Sequence, residues 1–207
     1  MIYQKYVNHV PLYRQEQEWK GRDVAFSRTT MANWTIRCAE DWLVPVWEAM
    51  RKELLQREVL HADETTVQVL KEKGKAPTTK SYMWLYCTGN DGLPPIVLFD
   101  YKTSRSGDNA KAFLEGFHGY LHTDGYAGYN KVPGITRCGC WAHLRRKFVE
   151  AMPLESNCPS PARIGRDLCD QLFAAEKELQ SLPPEQRQEK RLAVEQPMLR
   201  AFWCWAG

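Results

Sequence analysis

Two short segments of this 207-residue chain place acidic side chains among strand-forming neighbours: His61-Ala62-Asp63-Glu64-Thr65-Thr66 and Leu121-His122-Thr123-Asp124-Gly125-Tyr126. A carboxylate within an apolar strand is costly to desolvate unless it is hydrogen-bonded or meets a cation. By the two-residue period of a strand, Asp63 and Thr65 share one face and Glu64 lies on the other. Asp124 closes its strand just before a glycine, and open α/β sheets bind ligands at the carboxyl ends of their strands. If the two strands are neighbours, the carboxylates face one another across a strand spacing of about 5 Å. They then repel, and a divalent cation removes the repulsion. Mg²⁺ suits such a pair, because it takes hard oxygens, keeps waters and accepts a substrate phosphate as a further ligand. Each aspartate also has a plainer reading: Asp63 as an edge-strand residue facing water, Asp124 as the cap of the next short helix.

A third cluster is Cys138-Gly139-Cys140-Trp141-Ala142-His143. Structural zinc needs four ligands with cysteines usually spaced C-x₂₋₄-C. Here the spacing is C-x-C with one histidine, and Cys158 serves as a fourth only if the chain between folds back. The cysteines read better as small strand residues. His143 then points from a helix start toward the carboxylates, where it could contact a phosphate or an attacking water. Arg145, Arg146 and Lys147 follow on that helix. Lys71, Lys73, Lys75 and Lys80 cluster in a hairpin loop, and Lys102, Arg105 and Lys111 flank the third strand. Basic groups on three sides of one acidic site are what a DNA backbone track needs; solvated surface lysines account for the hairpin cluster equally well.

The elements that must position these groups follow from periodicity. Runs at 59–69, 81–87 and 96–101 are rich in Val, Ile, Leu, Tyr and Trp. Gly89-Asn90-Asp91-Gly92 is a turn between the second and third, so the three read as an antiparallel meander. A helix at 109–117, a strand at 120–123, a helix-like turn and a strand at 135–140 complete an α/β order with a mixed sheet. Residues 3–56 are helical in pattern, broken once at 21–27. Leu12, Gln15 and Trp19 share a face, and Ser27 is the N-cap of a helix through Met31, Trp34 and Cys38. This outline is that of a helix-turn-helix, in which Arg14, Lys20, Arg22 and Arg28 could meet phosphates; a small helical bundle with a basic solvated face is the alternative. Helices are expected at 142–151 and 164–182, separated by a linker at 152–161 and ended by Pro183-Pro184.

Composition sets outer limits. Hydrophobic residues at 43% and charged residues at 26% describe a globular chain, not a disordered one. No apolar run approaches the roughly 18–20 residues that cross a bilayer, and the first twelve residues lack the continuous apolar stretch of a secretory signal. Seven cysteines in no regular framework fit reduced thiols, and a cytoplasmic protein is expected. A net charge of +3 permits nucleic-acid binding without arguing for it.

The motifs together resemble a family. Lys5-Tyr6-Val7-Asn8-His9-Val10-Pro11-Leu12-Tyr13-Arg14-Gln15, residues 27–34, His61 to Thr66, and residues 82–86, 122–129 and 140–148 are similar, in the family's order, to the central part of bacterial transposases of the insertion sequence 66 family. The resemblance implies a ribonuclease H-like mixed sheet with a D-D-E active site using two Mg²⁺ (or Mn²⁺) ions. Asp63 is then the first aspartate and Asp124 the second, both catalytic and both metal ligands. Arg28, Lys102, Arg105, Arg145, Arg146 and Lys147 are the candidate DNA contacts. Three parts are expected: a helix-turn-helix-like segment at 1–56, a ribonuclease H-like core at 57–152, and a helical insertion at 153–207. In the family a DNA- or zinc-binding region precedes this part, and the catalytic Glu lies beyond the insertion, within which this chain is expected to end. Glu150, on the helix after the fifth strand, is a possible substitute, and Glu176 a weaker one. The terminal Ala201-Phe202-Trp203-Cys204-Trp205-Ala206-Gly207 is expected to be a helix end without packing partners. The implied partners are transposon-end and target DNA, with a homodimer possible and no membrane. The competing functions are a non-catalytic DNA-binding module and a self-contained nuclease using Glu150.

Overall fold

β-branched and aromatic residues in alternation produce β1 (Val59–Gln68), β2 (Lys80–Thr88) and β3 (Val97–Lys102). In the computed structural model, which describes residues 1–153 and 160–207, these strands form the expected antiparallel meander. The register pairs Ala62 with Tyr86 and Glu64 with Trp84, so Leu60, Ala62, Trp84, Tyr86 and Leu98 are buried on one face while Asp63, opposite Leu85, lies on the other. β4 (Tyr120–Thr123) and β5 (Thr136–Gly139) pair in parallel. The five strands make one mixed sheet in the order β3-β2-β1-β4-β5.

The chain divides into two compact units. The first comprises Met1–Ser104 with Leu114–Gly119. Its helices are α1 (Ile2–Tyr6), α2 (Leu12–Lys20), α3 (Arg28–Cys38) and α4 (Val44–Leu54). Ser27 caps α3 as expected, its hydroxyl accepting the Thr30 N–H at 3.0 Å. Gln15 is buried on the inner face of α2 and donates to the Val10 carbonyl at 2.9 Å. A row of edge-on rings, Trp19 to Phe26 to Trp34, joins α2 to α3 across the break.

Two features differ from the periodic reading. The helical zone breaks a second time, at residues 7–11, because Pro11 has no N–H to continue a helix and His9 takes a left-handed φ of 55°. Between α3 and α4 the helix continues through a π turn, Ala39–Leu43. The wider turn falls just before Pro45, whose ring cannot share the ordinary i−4 geometry.

The hairpin connecting β2 and β3 is fastened to the entrance of β1. Arg57, 8% exposed, donates to the Asp91 carboxylate at 2.6 Å and to the Pro94 carbonyl at 3.3 Å. Asp91 also accepts the Leu93 N–H at 3.0 Å, and Gly92 supplies the positive φ that the turn requires. In the β1–β2 hairpin, Glu72 accepts from Ser81 and Tyr101, both at 2.6 Å, and pairs with Lys75 at 3.3 Å. Lys75 thus closes a loop, and the lysine cluster expected there is partly structural.

The second unit comprises Arg105–Phe113 with Tyr120–Gly207. It holds α5 (Gly107–Phe113), β4, β5, α6 (Trp141–Glu150), α7 (Pro161–Leu179) and α8 (Pro184–Ala206). A 3₁₀ turn, Ala127–Lys131, lies between β4 and β5, and α5 rests on it so closely that a Cβ on Gly107 would stand 2.2 Å from the Gly128 carbonyl oxygen. The long helix ends near Pro183-Pro184 as expected. The terminal aromatics do not match expectation: Phe202 is buried and packs on Trp141 at 5.0 Å and Phe148 at 6.4 Å. Sequence periodicity cannot show this, since α6 lies some fifty residues earlier in the chain. Cys158 and most of the expected linker at 152–161 lie outside the described residues.

Two stability measurements follow. The Asp91 carboxyl is held below the ordinary carboxylate range, first by its bond to Arg57 and then by the Leu93 N–H. A carboxyl depressed by folding contributes stability above its unfolded pKa of about 3.9 and loses it as pH falls through the lower folded value. Denaturant midpoints of the native chain should therefore drop below about pH 4 more steeply than those of Asp91→Asn. Gly107→Ala, which meets backbone and not a movable side chain, should destabilise by about 1–3 kcal/mol in chemical denaturation.

Candidate active site around Asp124

The second unit builds its polar centre where β4 ends. Thr123 is buried, and its carbonyl accepts the Cys140 N–H at 2.9 Å, which extends the parallel pairing to the start of α6. Arg137 on β5 reaches back with its guanidinium fork. Nε and Nη2 donate to Thr123 Oγ1 at 3.3 and 3.1 Å, Nη2 donates to the Asp124 carbonyl at 2.8 Å, and Nη1 donates to Asn130. The strand end is thereby fixed on its backbone, and the Asp124 side chain leaves it in a set direction.

Asp124 accepts the Tyr126 N–H on Oδ1 at 2.9 Å. That bond closes an Asx turn and does not make Asp124 the cap of the next short helix, whose N-cap is Tyr126 with no side-chain cap bond; it occupies one oxygen alone. Oδ2 faces the Arg105 guanidinium at 3.8 Å, too long for a hydrogen bond and close enough for ion pairing. Arg105 lies over the Tyr126 ring at 4.1 Å, and the Tyr126 hydroxyl donates to the Arg105 carbonyl. A cavity of about 750 Å³ opens here within the second unit, and Asp124, Arg105 and Tyr126 line it together with Trp141, His143 and Lys147 of α6 and Trp203 of α8. The amino end of α6 also borders it, a place where backbone N–H groups favour anions.

The sequence-derived candidates divide into those at this cavity and those elsewhere. Asp124, Arg105, His143 and Lys147 come together. Asp63 belongs to the first unit, half-buried on β1, with Oδ1 accepting the Glu64 N–H at 2.9 Å. Arg28 pairs with Glu16 at 2.9 Å and lies over the Tyr13 ring, and Lys102 pairs with Asp100 at 3.2 Å. Arg145 is turned to α7, where Asp170 accepts from it and raises its pKa; Arg146 is exposed. Glu150 pairs with Lys147 at 2.8 Å, and that bond holds its carboxyl below the ordinary range. Glu176 pairs with Arg191 of α8.

Sequence reasoning missed Arg137, Tyr126 and Trp203. Arg137 had a signal, a charged residue inside a short strand that must find a partner if half-buried. Trp203 had none, since its place depends on how α8 returns to α6.

Removing the clamp should show in two readouts. Arg137→Ala is expected to lower stability by about 1.5–3 kcal/mol, the range for hydrogen bonds from a charged group. Amide exchange at residues 124–126 should accelerate, and Arg137→Lys, which keeps the charge without the fork, should rescue little of either.

Comparison with known proteins gives the family of the chain. The family described as Transposase IS66 family matches residues 1–207. Among relatives from Sinorhizobium fredii (strain NBRC 101917 / NGR234), the chain is similar to the uncharacterized protein y4qI, with 33% identity over 70% of this chain and 29% of the relative. It is similar to the uncharacterized protein y4hP at 26% identity, over 99% of this chain and 40% of the relative. For the uncharacterized protein y4jD the identity is 28%, over 97% and 41%. The chain thus spans 29% to 41% of the length of these curated relatives. No solved structure matches. Among the described residues, no helix is long and apolar enough to cross a membrane. With a family match that runs from the first residue to the last, the chain belongs to the Transposase IS66 family.

Proposed function

We propose that this chain carries the first two carboxylates of a metal-dependent DNA strand transferase acting at insertion-sequence ends, with Asp63 the first and Asp124 the second. The family match over the whole chain carries this reading. A ribonuclease H-like core is part of the proposal, supported by the antiparallel meander followed by a parallel pair with helical connections.

The donor chemistry fits a hard divalent cation. Both residues offer carboxylate oxygens, and at Asp124 an ion on Oδ2 would displace the Arg105 guanidinium that faces it at 3.8 Å. Asp63 and Asp124 are each proposed to supply oxygens to Mg²⁺ or Mn²⁺; among the described residues no group of three or more His, Cys, Asp or Glu side chains converges. Such an ion, when bound, would neutralise phosphate charge and lower the pKa of the attacking oxygen. The chain's own groups would do the rest. Arg105 and Lys147 would hold non-bridging phosphate oxygens, and the α6 amino end would add backbone donors. His143 would hydrogen-bond a phosphate oxygen or the attacking water.

In the first step water attacks phosphorus and the P–O3′ bond breaks. The water's proton passes to the leaving oxygen, so that a 3′-hydroxyl and a 5′-phosphate result. In the second step that 3′-hydroxyl attacks a target phosphodiester, and the proton goes to the displaced 3′-oxygen. The relatives are two to three times longer than this chain, and the complete reaction is proposed for a protein of that length.

The test is nicking of supercoiled DNA bearing transposon ends, with Mg²⁺ or Mn²⁺, by the chain itself and by a protein of the relatives' length that contains it. Asp63→Ala and Asp124→Ala should each reduce nicking to the level seen in EDTA. Nicking by the chain itself that Glu150→Ala abolishes would favour a self-contained nuclease. Salt-sensitive DNA binding by both proteins with no nicking by either would overturn the catalytic reading and leave a DNA-binding module.

A further inference from the structure

The cavity beside Asp124 is more aromatic than a phosphodiester requires. Tyr126, Trp141 and Trp203 line it from the turn after β4, from α6 and from α8, and the Arg105 guanidinium lies over the Tyr126 ring at 4.1 Å. Trp141 and Trp203 stand 6.4 Å apart at 59°, and Trp203, 62% exposed, keeps much of its ring available. Besides Arg105 and the Tyr126 hydroxyl, the polar side chains are the Asp124 carboxylate, the Cys140 thiol, the His143 imidazole and the Lys147 ammonium. A volume of about 750 Å³ lies within the roughly 300–1,000 Å³ typical of pockets for small organic groups.

We propose that this cavity receives one unstacked nucleobase of the DNA strand, stacked on Trp203 and on the Arg105–Tyr126 pair, with an adjoining phosphate on Lys147. The inference rests on the DNA-strand reading above and adds to it a subsite for a base. The occupant follows from the combination of groups. Every base has a π-face that stacks on aromatic rings and on guanidinium planes whatever its sequence. Two cations complement the phosphates on either side of such a base. An apolar peptide side chain would fill the aromatic part and make no use of the Arg105 and Lys147 charges that line the same cavity. Lys147 can exchange partners, because its pairing with Glu150 is a surface ion pair of the weak kind. A duplex hides its bases, so the subsite selects single-stranded or frayed DNA.

The full chain is tested in EDTA by fluorescence anisotropy, with labelled oligothymidylate and an abasic strand of equal length and charge. The intact chain should bind oligothymidylate about tenfold tighter or more, within the range for stacking of one base. Trp203→Ala should bring the ratio close to one, and Trp203→Phe should restore most of it. Lys147→Gln should weaken both strands alike and reduce the salt slope by about 0.7. A ratio near one for the intact chain, failure to bind either strand, or a ratio unchanged in Trp203→Ala would overturn the inference. Because EDTA removes any metal, the two readings fail separately. Nicking in Mg²⁺ without a preference for bases loses the base subsite alone, and a preference for bases with no nicking by either the chain or the protein of the relatives' length loses the catalytic reading alone.

Discussion

The Arg137 fork is the contact on which the rest of the candidate site depends. A four-residue strand such as β4 has little ladder of its own to hold its end in place, and Asp124 sits just past that end. Arg137 supplies what the ladder lacks, through bonds to the Thr123 hydroxyl and the Asp124 carbonyl from a neighbouring parallel strand. Its planar five-donor head can serve two acceptors and Asn130 at once, which a lysine ammonium at the same place could not do with the same geometry. With the backbone held, the Asp124 carboxylate is free to accept from Tyr126 and to face Arg105. The cavity walls are then set by the Tyr126–Arg105 stack on one side and by α6 on the other.

Charge is used twice in this chain. Several cations expected to track a DNA backbone are engaged with carboxylates of their own unit: Arg28 with Glu16, Lys102 with Asp100, Arg145 with Asp170. The first and third tie one helix to another, α2 to α3 and α6 to α7, so their first consequence is architectural. Exposed pairs of this kind contribute at most about 1 kcal/mol and are screened by salt. A polyanion can therefore compete for such cations at small cost. The local structure and a basic surface are compatible uses of the same residues, and the small net charge of +3 conceals both.

Much of the secondary structure was legible because local chemistry fixes it. Ser27 caps its helix through its own hydroxyl, the β2–β3 turn follows from Gly92 and Asp91, and β4 spans the residues its alternation marks. The second helical break at 7–11 was also local, written in Pro11, and reading the apolar face alone passed over it. The lysines of the first hairpin were less legible. Lys75 pairs with Glu72 of its own loop, but Glu72 is held there by Ser81 of β2 and Tyr101 of β3, which no spacing within the loop reveals.

The sequence by itself determined the chain's family, the order of its strands and helices, and the two aspartates with strand-end or mid-strand positions. Those properties depend on residue types and on periods of two or 3.6 residues, which are readable along one dimension. Only the tertiary structure decided which cations surround Asp124, that Arg137 holds its backbone, and that α8 returns to bury Phe202 against α6 and bring Trp203 to the cavity. The physical reason is the range of the interactions. Capping and turn bonds join residues two or three apart, whereas an aromatic contact between residues 141 and 202 exists only after the intervening helices have folded back.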